Sequence, residues 1–333
     1  MNTTKVSVIV PAYNVEESIG SLIESILAQT YENIELIVVD DGSTDSTPRI
    51  LDEYAEKYEN VFAIHKPNGG VTSARLCGVA AATGEWIGFA DGDDLIEPQM
   101  FEHLLNNAIQ YNADISHCGY QMVFPNGKVD YYYNSGRIVK QNRSQGLCDL
   151  IQGTFVEPGL GIKLFKRELF DGIENWMDFS IKINEDLLMS YYLFNKANSS
   201  IYEDVCPYHY ILRKGSASKA QLNIHILTDP LRVLKIILAD AKYEVYKVVY
   251  ARYIHQLIRM CTMSAKENVE LIRPHKKNAK KELQKSLKQN RSNQIGVRLY
   301  CMAIWAAVWP SSYGLVHRVY ARLKGYDKKY NID

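Results

Sequence analysis

The 333 residues are 47% hydrophobic and 23% charged, close to the globular average, so the chain can bury a sizeable core and wholesale disorder is excluded. That length exceeds one typical domain and falls short of three, which predicts a large main domain with a smaller C-terminal addition. Formal net charge is zero, but residues 265–333 hold 15 Lys and Arg against 5 Asp and Glu, leaving an acidic excess for residues 1–264, so the two parts are expected to meet different partners.

Six cysteines (Cys77, Cys118, Cys148, Cys206, Cys261 and Cys301) lie far apart, without a C-x-x-C pair or a zinc-type Cys/His spacing, and read as reduced, mostly buried thiols. The N-terminus enters a strand-like run with no signal-peptide core before it, so a cytoplasmic protein is expected. The longest charge-free stretch, Leu299 to Val316, is interrupted by Pro310, Ser311, Ser312 and Gly314, which argues against a membrane-spanning helix and leaves peripheral contact open.

In chain order, residues 6–10 (VSVIV) predict a strand buried on both faces. Asn14 and Glu17 have the spacing of a capping box, ahead of Ile19, Leu22, Ile23, Ile26 and Leu27 at helical intervals. A second strand is expected at 34–39, and Pro48 opens a helix with Ile50, Leu51, Tyr54 and Tyr58 on one face. Residues 61–64 predict a strand, 70–82 a small-residue helix, and 86–90 a strand ending at Asp91. Strand and helix alternate through short loops, which is the pattern of an α/β fold with a mostly parallel sheet. Residues 111–165 read as strands and loops, and the chain is mostly helical from about 222, with Pro274 opening a basic helix at 275–291. This gives residues 1–220 as the main domain, halved at about 110, and 221–333 as a helical, basic C-terminal region.

Ligands of such sheets bind at the carboxyl ends of the strands. Polar residues cluster there: Pro11-Ala12-Tyr13-Asn14 after the first strand, Asp40-Asp41-Gly42-Ser43-Thr44-Asp45 after the second, and Asp91-Gly92-Asp93-Asp94 after the fourth. Asp91 and Asp93 suit a hard cation, Mn or Mg, that also takes diphosphate oxygens. Helix capping accounts for Thr44, Asp45 or Thr47 but leaves Asp40 and Asp41 as adjacent like charges, which a cation or the N–H and hydroxyl donors of a nucleotide would relieve.

The runs VSVIVPAYN, ELIVVDDGSTD and NGGVTSAR, the Asp-Gly-Asp-Asp turn, and Asn184-Glu185-Asp186 together resemble family 2 glycosyltransferases of the GT-A fold, especially bacterial capsule and exopolysaccharide enzymes. The resemblance is strong over 5–110 and looser to about 220. It implies an inverting, metal-dependent transfer of a hexose or N-acetylhexosamine from a UDP-sugar to a glycan acceptor, often lipid-linked. It further implies that Pro11, Tyr13, Asp41 and Arg75 surround the nucleotide, beside Asp40 at the same strand end, that Asp91 lies on the ribose side of the metal, and that Asp93 coordinates it. By the same resemblance Asp186 is the general base and Glu185 its neighbour in orienting base or acceptor, while Arg213 and Ser216 lie near the donor phosphates. His209 is a candidate further metal ligand, weighed against a packing role between Tyr208 and Tyr210.

Inversion needs one carboxylate to deprotonate the attacking hydroxyl and a stabilised leaving group. A nucleotidyltransferase or a dinucleotide enzyme would show glycines or a lysine after the first strand, where Pro11-Ala12-Tyr13-Asn14 stands. A non-catalytic sugar-nucleotide or carbohydrate-binding protein would not need the metal pair and the Glu185-Asp186 pair together. The basic C-terminal region, with Trp305 and Trp309 beside it, suits either an anionic membrane surface or packing as a helical domain or homodimer contact. Without a recognition motif, it does not suit nucleic acid.

Overall fold

β1 (Val6–Ala12) forms on the apolar run at the start of the chain, and all of its residues but Pro11 are buried. The structure is a computed structural model that describes residues 4–131, 133–153, 156–213, 222–264, 268–289 and 294–323. The chain divides into two units, Met1–Arg213 and Lys214–Asp333.

In the first unit β2 (Ile34–Asp40), buried along its whole length, and β4 (Trp86–Phe89) flank β1 in parallel, and β3 (Val61–His65) lies outside β2. The connecting helices are α1 (Ile19–Leu27), α2 (Thr47–Lys57) and α3 (Val71–Ala81). Ile19, Leu22, Ile23 and Ile26 of α1 pack with Val6, Val8 and Val10 on one face of the sheet. The other face receives α3 closely enough that a Cβ on Gly78 would stand 2.4 Å from the Ile9 side chain, so a small residue is required there.

Asn14 does not cap α1. It adopts φ 51°, its side-chain oxygen accepts from the Thr44 amide at 2.8 Å, and α1 begins only at Ile19. The capping-box expectation fails because the chain turns once more between Asn14 and the helix, and Asn14 instead ties the loop after β1 to the loop after β2.

Beyond β4 follow β5 (Leu95–Ile96), α4 (Met100–Gln110), β6 (Ile115–His117), β7 (Tyr120–Val123), β8 (Val129–Tyr131), β9 (Ile138–Asn142) and α5 (Arg143–Gln152). β10 (Lys163–Lys166), α6 (Glu185–Lys196), β11 (Ser199–Glu203) and β12 (Tyr208–Ile211) complete the unit. The large sheet has the order β3-β2-β1-β4-β10-β6-β11-β9, with β10 antiparallel to both β4 and β6. A small sheet, β5-β12-β7-β8, brings β12 alongside the chain that leaves Asp94.

The second unit consists, among its described residues, of α7 (Ile224–Asp240), α8 (Tyr243–Thr262), α9 (Val269–Gln289), α10 (Val297–Val308) and α11 (Pro310–Leu323). Its core gathers Val233 and Ile237, Val249 and Leu257, Ala279 and Leu283, and Ala303 and Ala307. Lys235 and Tyr253 both bind the Glu282 carboxylate, at 2.6 and 2.7 Å. The basic helix starts before Pro274, not at it: the Ile272 amide already bonds the Asn268 carbonyl at 3.0 Å, so the proline lies inside α9. Of the six free cysteines, Cys118, Cys206 and Cys261 are buried, whereas Cys301 is exposed.

Candidate active site

Three parallel strand ends and the start of α6 define the site. After β1, Tyr13 is half exposed at the sheet's carboxyl edge. After β2 the acidic pair is fully engaged. Asp40 accepts from the Ser43 amide at 2.9 Å and from His65 Nδ1 at 3.1 Å. Burial opposes its charge, but these hydrogen bonds outweigh it and hold the carboxyl below its ordinary pKa. Asp41 accepts from Lys66 Nζ at 2.5 Å, the Gly69 amide at 2.9 Å and the Gly70 amide at 2.7 Å. Gly70, at φ 87°, is the residue from which α3 starts, so Asp41 anchors the entry to that helix. The expected strain between adjacent acids is therefore relieved within the protein: each carboxylate has its own donors and a loop to hold.

After β4 the acids are less well matched. Asp91 shares one oxygen with Arg75 Nη2 at 3.0 Å, and its side chain is 48% exposed. Burial and the charge of Asp91 push the Asp93 carboxyl above its ordinary pKa, against the pull of Arg213. Asp94 is buried and bonded by the Tyr208 hydroxyl at 2.7 Å and the Ile211 amide at 3.0 Å, and burial followed by the charge of Asp91 raises it well above the carboxylate range. A turn with this surplus of negative charge suits a hard divalent cation whose shell is completed by phosphate oxygens. Among the described residues no group of three or more His, Cys, Asp or Glu side chains forms a ready-made metal cage; Asp91 and Asp93 are the carboxylates of this turn that could contribute to such a donor set.

Arg75 joins this turn to α6. Only 6% exposed, it reaches Asp91 through Nη2 and Glu185 Oε1 through Nη1 at 3.2 Å. The negative charges of Asp91, Glu185 and Asp186 keep its guanidinium ionised despite burial. Its Nε has no hydrogen-bond partner among the described residues. α6 starts from Asn184 in a left-handed conformation, φ 67°, which puts Glu185 and Asp186 in the first turn, where the helix dipole favours negative charge. Burial and then the charge of Asp186 push the Glu185 carboxyl up, and Arg75 acts in the opposite sense.

Asp91 and Asp186 line one cleft of about 270 Å³, with Asp94, Tyr120, Tyr208, Tyr210 and the Glu157–Ile162 loop around it. Beneath that loop lies Lys163, fully buried, its Nζ donating to the carbonyls of Glu157 and Gly159. Burial pulls its pKa down to about 8 while Asp186 and Glu157 favour the charged form. Lys163 and Tyr208 were not singled out from the sequence. The only signals were a lysine among apolar neighbours in Gly161-Ile162-Lys163-Leu164-Phe165 and the alternation of Tyr208-His209-Tyr210.

Residues 7–172 match glycosyl transferase family 2. The glycosyltransferase GlyG of Streptococcus pneumoniae is 30% identical over 247 residues, spanning 71% of this chain and 80% of that protein. The chain belongs to glycosyl transferase family 2. GlyA of the same organism is 32% identical over 253 residues, 73% of this chain and 36% of the relative, and EpsJ of Bacillus subtilis is 35% identical over 195 residues, 58% and 56% of the two. The matched parts thus amount to about a third and just over half of those two relatives. S. aureus TarS 1–349, at 22% identity, superposes with a TM-score of 0.71 over 96% of this chain and 91% of that one, and it has also been solved with UDP-GlcNAc. The fold is therefore GT-A, with helices following the catalytic sheet.

Within this family member, Asp91, Arg75, Glu185 and Asp186 are brought together, and Asp93 shares their turn. Asp40 and Asp41 stand at the neighbouring strand end, Pro11 lies at the end of β1 and Tyr13 just after it. His209 is not brought to the acidic turn. Side chains alternate along β12, so Tyr208 points to Asp94 while His209 lies on the other face with Nε2 on Glu97 Oε1 at 3.1 Å. Of the basic loop, Arg213 is electrostatically coupled to Asp93, whereas Ser216 lies outside the described residues.

Proposed function

We propose that this glycosyltransferase moves a hexose or N-acetylhexosamine from a UDP-sugar to a glycan acceptor, with inversion, and that the acceptor is carried on a lipid at the cytoplasmic face of a membrane during surface polysaccharide synthesis. The observation that carries the reading is Arg75 bridging Asp91 and Glu185 while Asp91 and Asp186 line the same cleft. One cleft thereby holds both a charge-rich turn for the leaving group and a carboxylate for the nucleophile.

In this mechanism Tyr13 and Pro11 pack against the base, and Asp40 and Asp41 hold the loops that frame base and ribose. Asp93 and Asp91 would hold a divalent cation, Mn or Mg, which would supply neutralisation of the diphosphate charge. Arg213 faces the donor phosphates. Asp186 takes the proton of the acceptor hydroxyl as its oxygen bonds to the anomeric carbon and the bond from that carbon to the diphosphate breaks on the opposite side. Glu185, fixed by Arg75, orients the acceptor. Lys163 keeps the Glu157–Gly159 carbonyls in place and offsets the charge of Asp186. A UDP-sugar donor is further supported by the likeness to TarS, which has been solved with UDP-GlcNAc.

The test is a donor screen with UDP-glucose, UDP-galactose and their N-acetyl forms in the presence of Mn, read as thermal stabilisation and as sugar release. Stabilisation by one donor in the wild type and in Asp186→Asn, with turnover only in the wild type, is expected. Absence of any stabilisation, or undiminished turnover by Asp186→Asn, overturns the reading.

A further inference from the structure

The second unit turns an apolar surface to solvent. On α10 the buried side is Leu299, Ala303, Ala306 and Ala307, yet the opposite side is also apolar: Val297, Ile304, Trp305 and Val308 are exposed, and Trp309, which ends the helix, is 67% exposed. α11 repeats the pattern with Leu315, Val316, Val319 and Tyr320 exposed, and Leu323 81% exposed. A helix on the surface of a soluble domain ordinarily places polar residues there. The two helices are joined firmly: Trp305 Nε1 donates to Ser312 Oγ at 2.9 Å, and the Trp305 ring meets the Tyr313 ring edge-on at 5.3 Å.

Charge identifies the occupant. From Leu283 to Tyr326 the chain has no Asp or Glu, and every charged residue is Lys or Arg. Arg298, Arg318 and Arg322 are exposed on these same two helices. Among the described residues no helix is long and apolar enough to cross a membrane, so the pair is suited to lie on a membrane, not through one. Exposed Trp, Leu and Val beside exclusively basic side chains match the headgroup boundary of an anionic bilayer, where indoles and short apolar chains are buried and Arg meets phosphate. A second copy of the chain would bring the same positive charge against itself.

We propose that α10 and α11 form an interfacial docking surface for anionic lipid. The surface stands without the transfer chemistry; only its use, holding the enzyme beside a lipid-borne acceptor, rests on the function proposed above. The experiment is sedimentation of the full chain with vesicles of phosphatidylcholine alone or with added phosphatidylglycerol. Binding is expected only to the anionic vesicles, and it should weaken in about 0.5 M salt as charges are screened. The variant Trp309→Ser/Val316→Ser/Leu323→Ser, all at exposed positions, is expected to lose about tenfold in partitioning while keeping its melting temperature and UDP binding. Asp186→Asn is expected to sediment like the wild type, which separates failure of docking from failure of the catalytic reading. Equal binding to neutral vesicles, undiminished binding by the triple variant, or a vesicle-indifferent dimer in light scattering that these substitutions dissociate overturns the proposal.

Discussion

Two acidic clusters stand at neighbouring strand ends and look alike in the sequence, yet they are in opposite electrostatic states. After β2, Asp40 and Asp41 are saturated by Ser43, His65, Lys66 and the Gly69 and Gly70 amides, and Asp40 is held below the usual carboxylate range. After β4, Asp93 and Asp94 are pushed above it by burial and by the charge of Asp91, while Asp91 shares Arg75 with Glu185. The first cluster stabilises loops. The second carries negative charge that Arg75 and Arg213 offset only in part, as is common where a protein is built to receive a charged ligand.

The largest expected effects lie on the unneutralised side. Asp186→Asn should lower kcat by about 10²–10⁴, the usual worth of a positioned general base, with donor affinity unchanged in a calorimetric titration. Asp93→Asn should remove metal-dependent UDP binding as well. If Asp186→Asn turns over normally, the cleft is not organised around that base. Arg75→Met should come next, with a loss of about 100-fold in kcat/KM, the scale of a misplaced catalytic group. Arg75 lowers the pKa of Glu185, so its removal should also move the acidic limb of the rate profile to higher pH. A profile that keeps its shape in Arg75→Met would mean that the bridge has no bearing on the ionisation state used in the reaction.

The same contrast explains what was legible beforehand. β1 to β4 and their helices were readable because β1, β2 and β4 are buried apolar runs and strand and helix alternate through short loops. β6 to β12 were not: they are three to five residues long, β10 is inserted between β4 and β6, and β12 pairs with β5 from more than 100 residues away. Asp91, Asp93, Glu185 and Asp186 were visible as motifs, and the gathering of Asp91, Glu185 and Asp186 around Arg75 needed only the fold. The saturation of Asp40 and Asp41 was hidden, because most of their partners are main-chain amides that leave no trace in residue type. Lys163 was hidden for the same reason, its charge being met by two carbonyls.

A smaller pair of effects tests the two electrostatic states directly. Asp40 has a depressed pKa in the folded chain, so its stabilising contribution is present above its unfolded pKa and is lost as pH falls through the folded value. Asp93 has a raised one, so its contribution is present below the unfolded pKa and is lost as pH rises through the folded value. At neutral pH without metal, Asp40→Asn should therefore lower the melting temperature, through a loss of about 1–3 kcal/mol of stability from charged hydrogen bonding. Asp93→Asn should leave it unchanged or raise it. Added Mn with UDP should raise the melting temperature of Asp40→Asn but not of Asp93→Asn. Two variants that melt alike under both conditions would erase the distinction between the clusters.

The smallest effect expected is at His209. Its ring is bonded to Glu97 on the face of β12 turned away from Asp94, and an exposed pair of this kind contributes roughly 0–1 kcal/mol. His209→Ala should therefore leave kcat/KM within about twofold and the manganese titration of activity unmoved. The substitution is informative because alternation along β12 sets Tyr208 and His209 on opposite faces. For His209 to reach the metal, β12 would have to slip by one residue against β5, which would pull Tyr208 off Asp94 and the cleft. A weakened manganese response in His209→Ala would thus imply a second register of β12, and Tyr208→Phe would then be expected to change metal affinity as well.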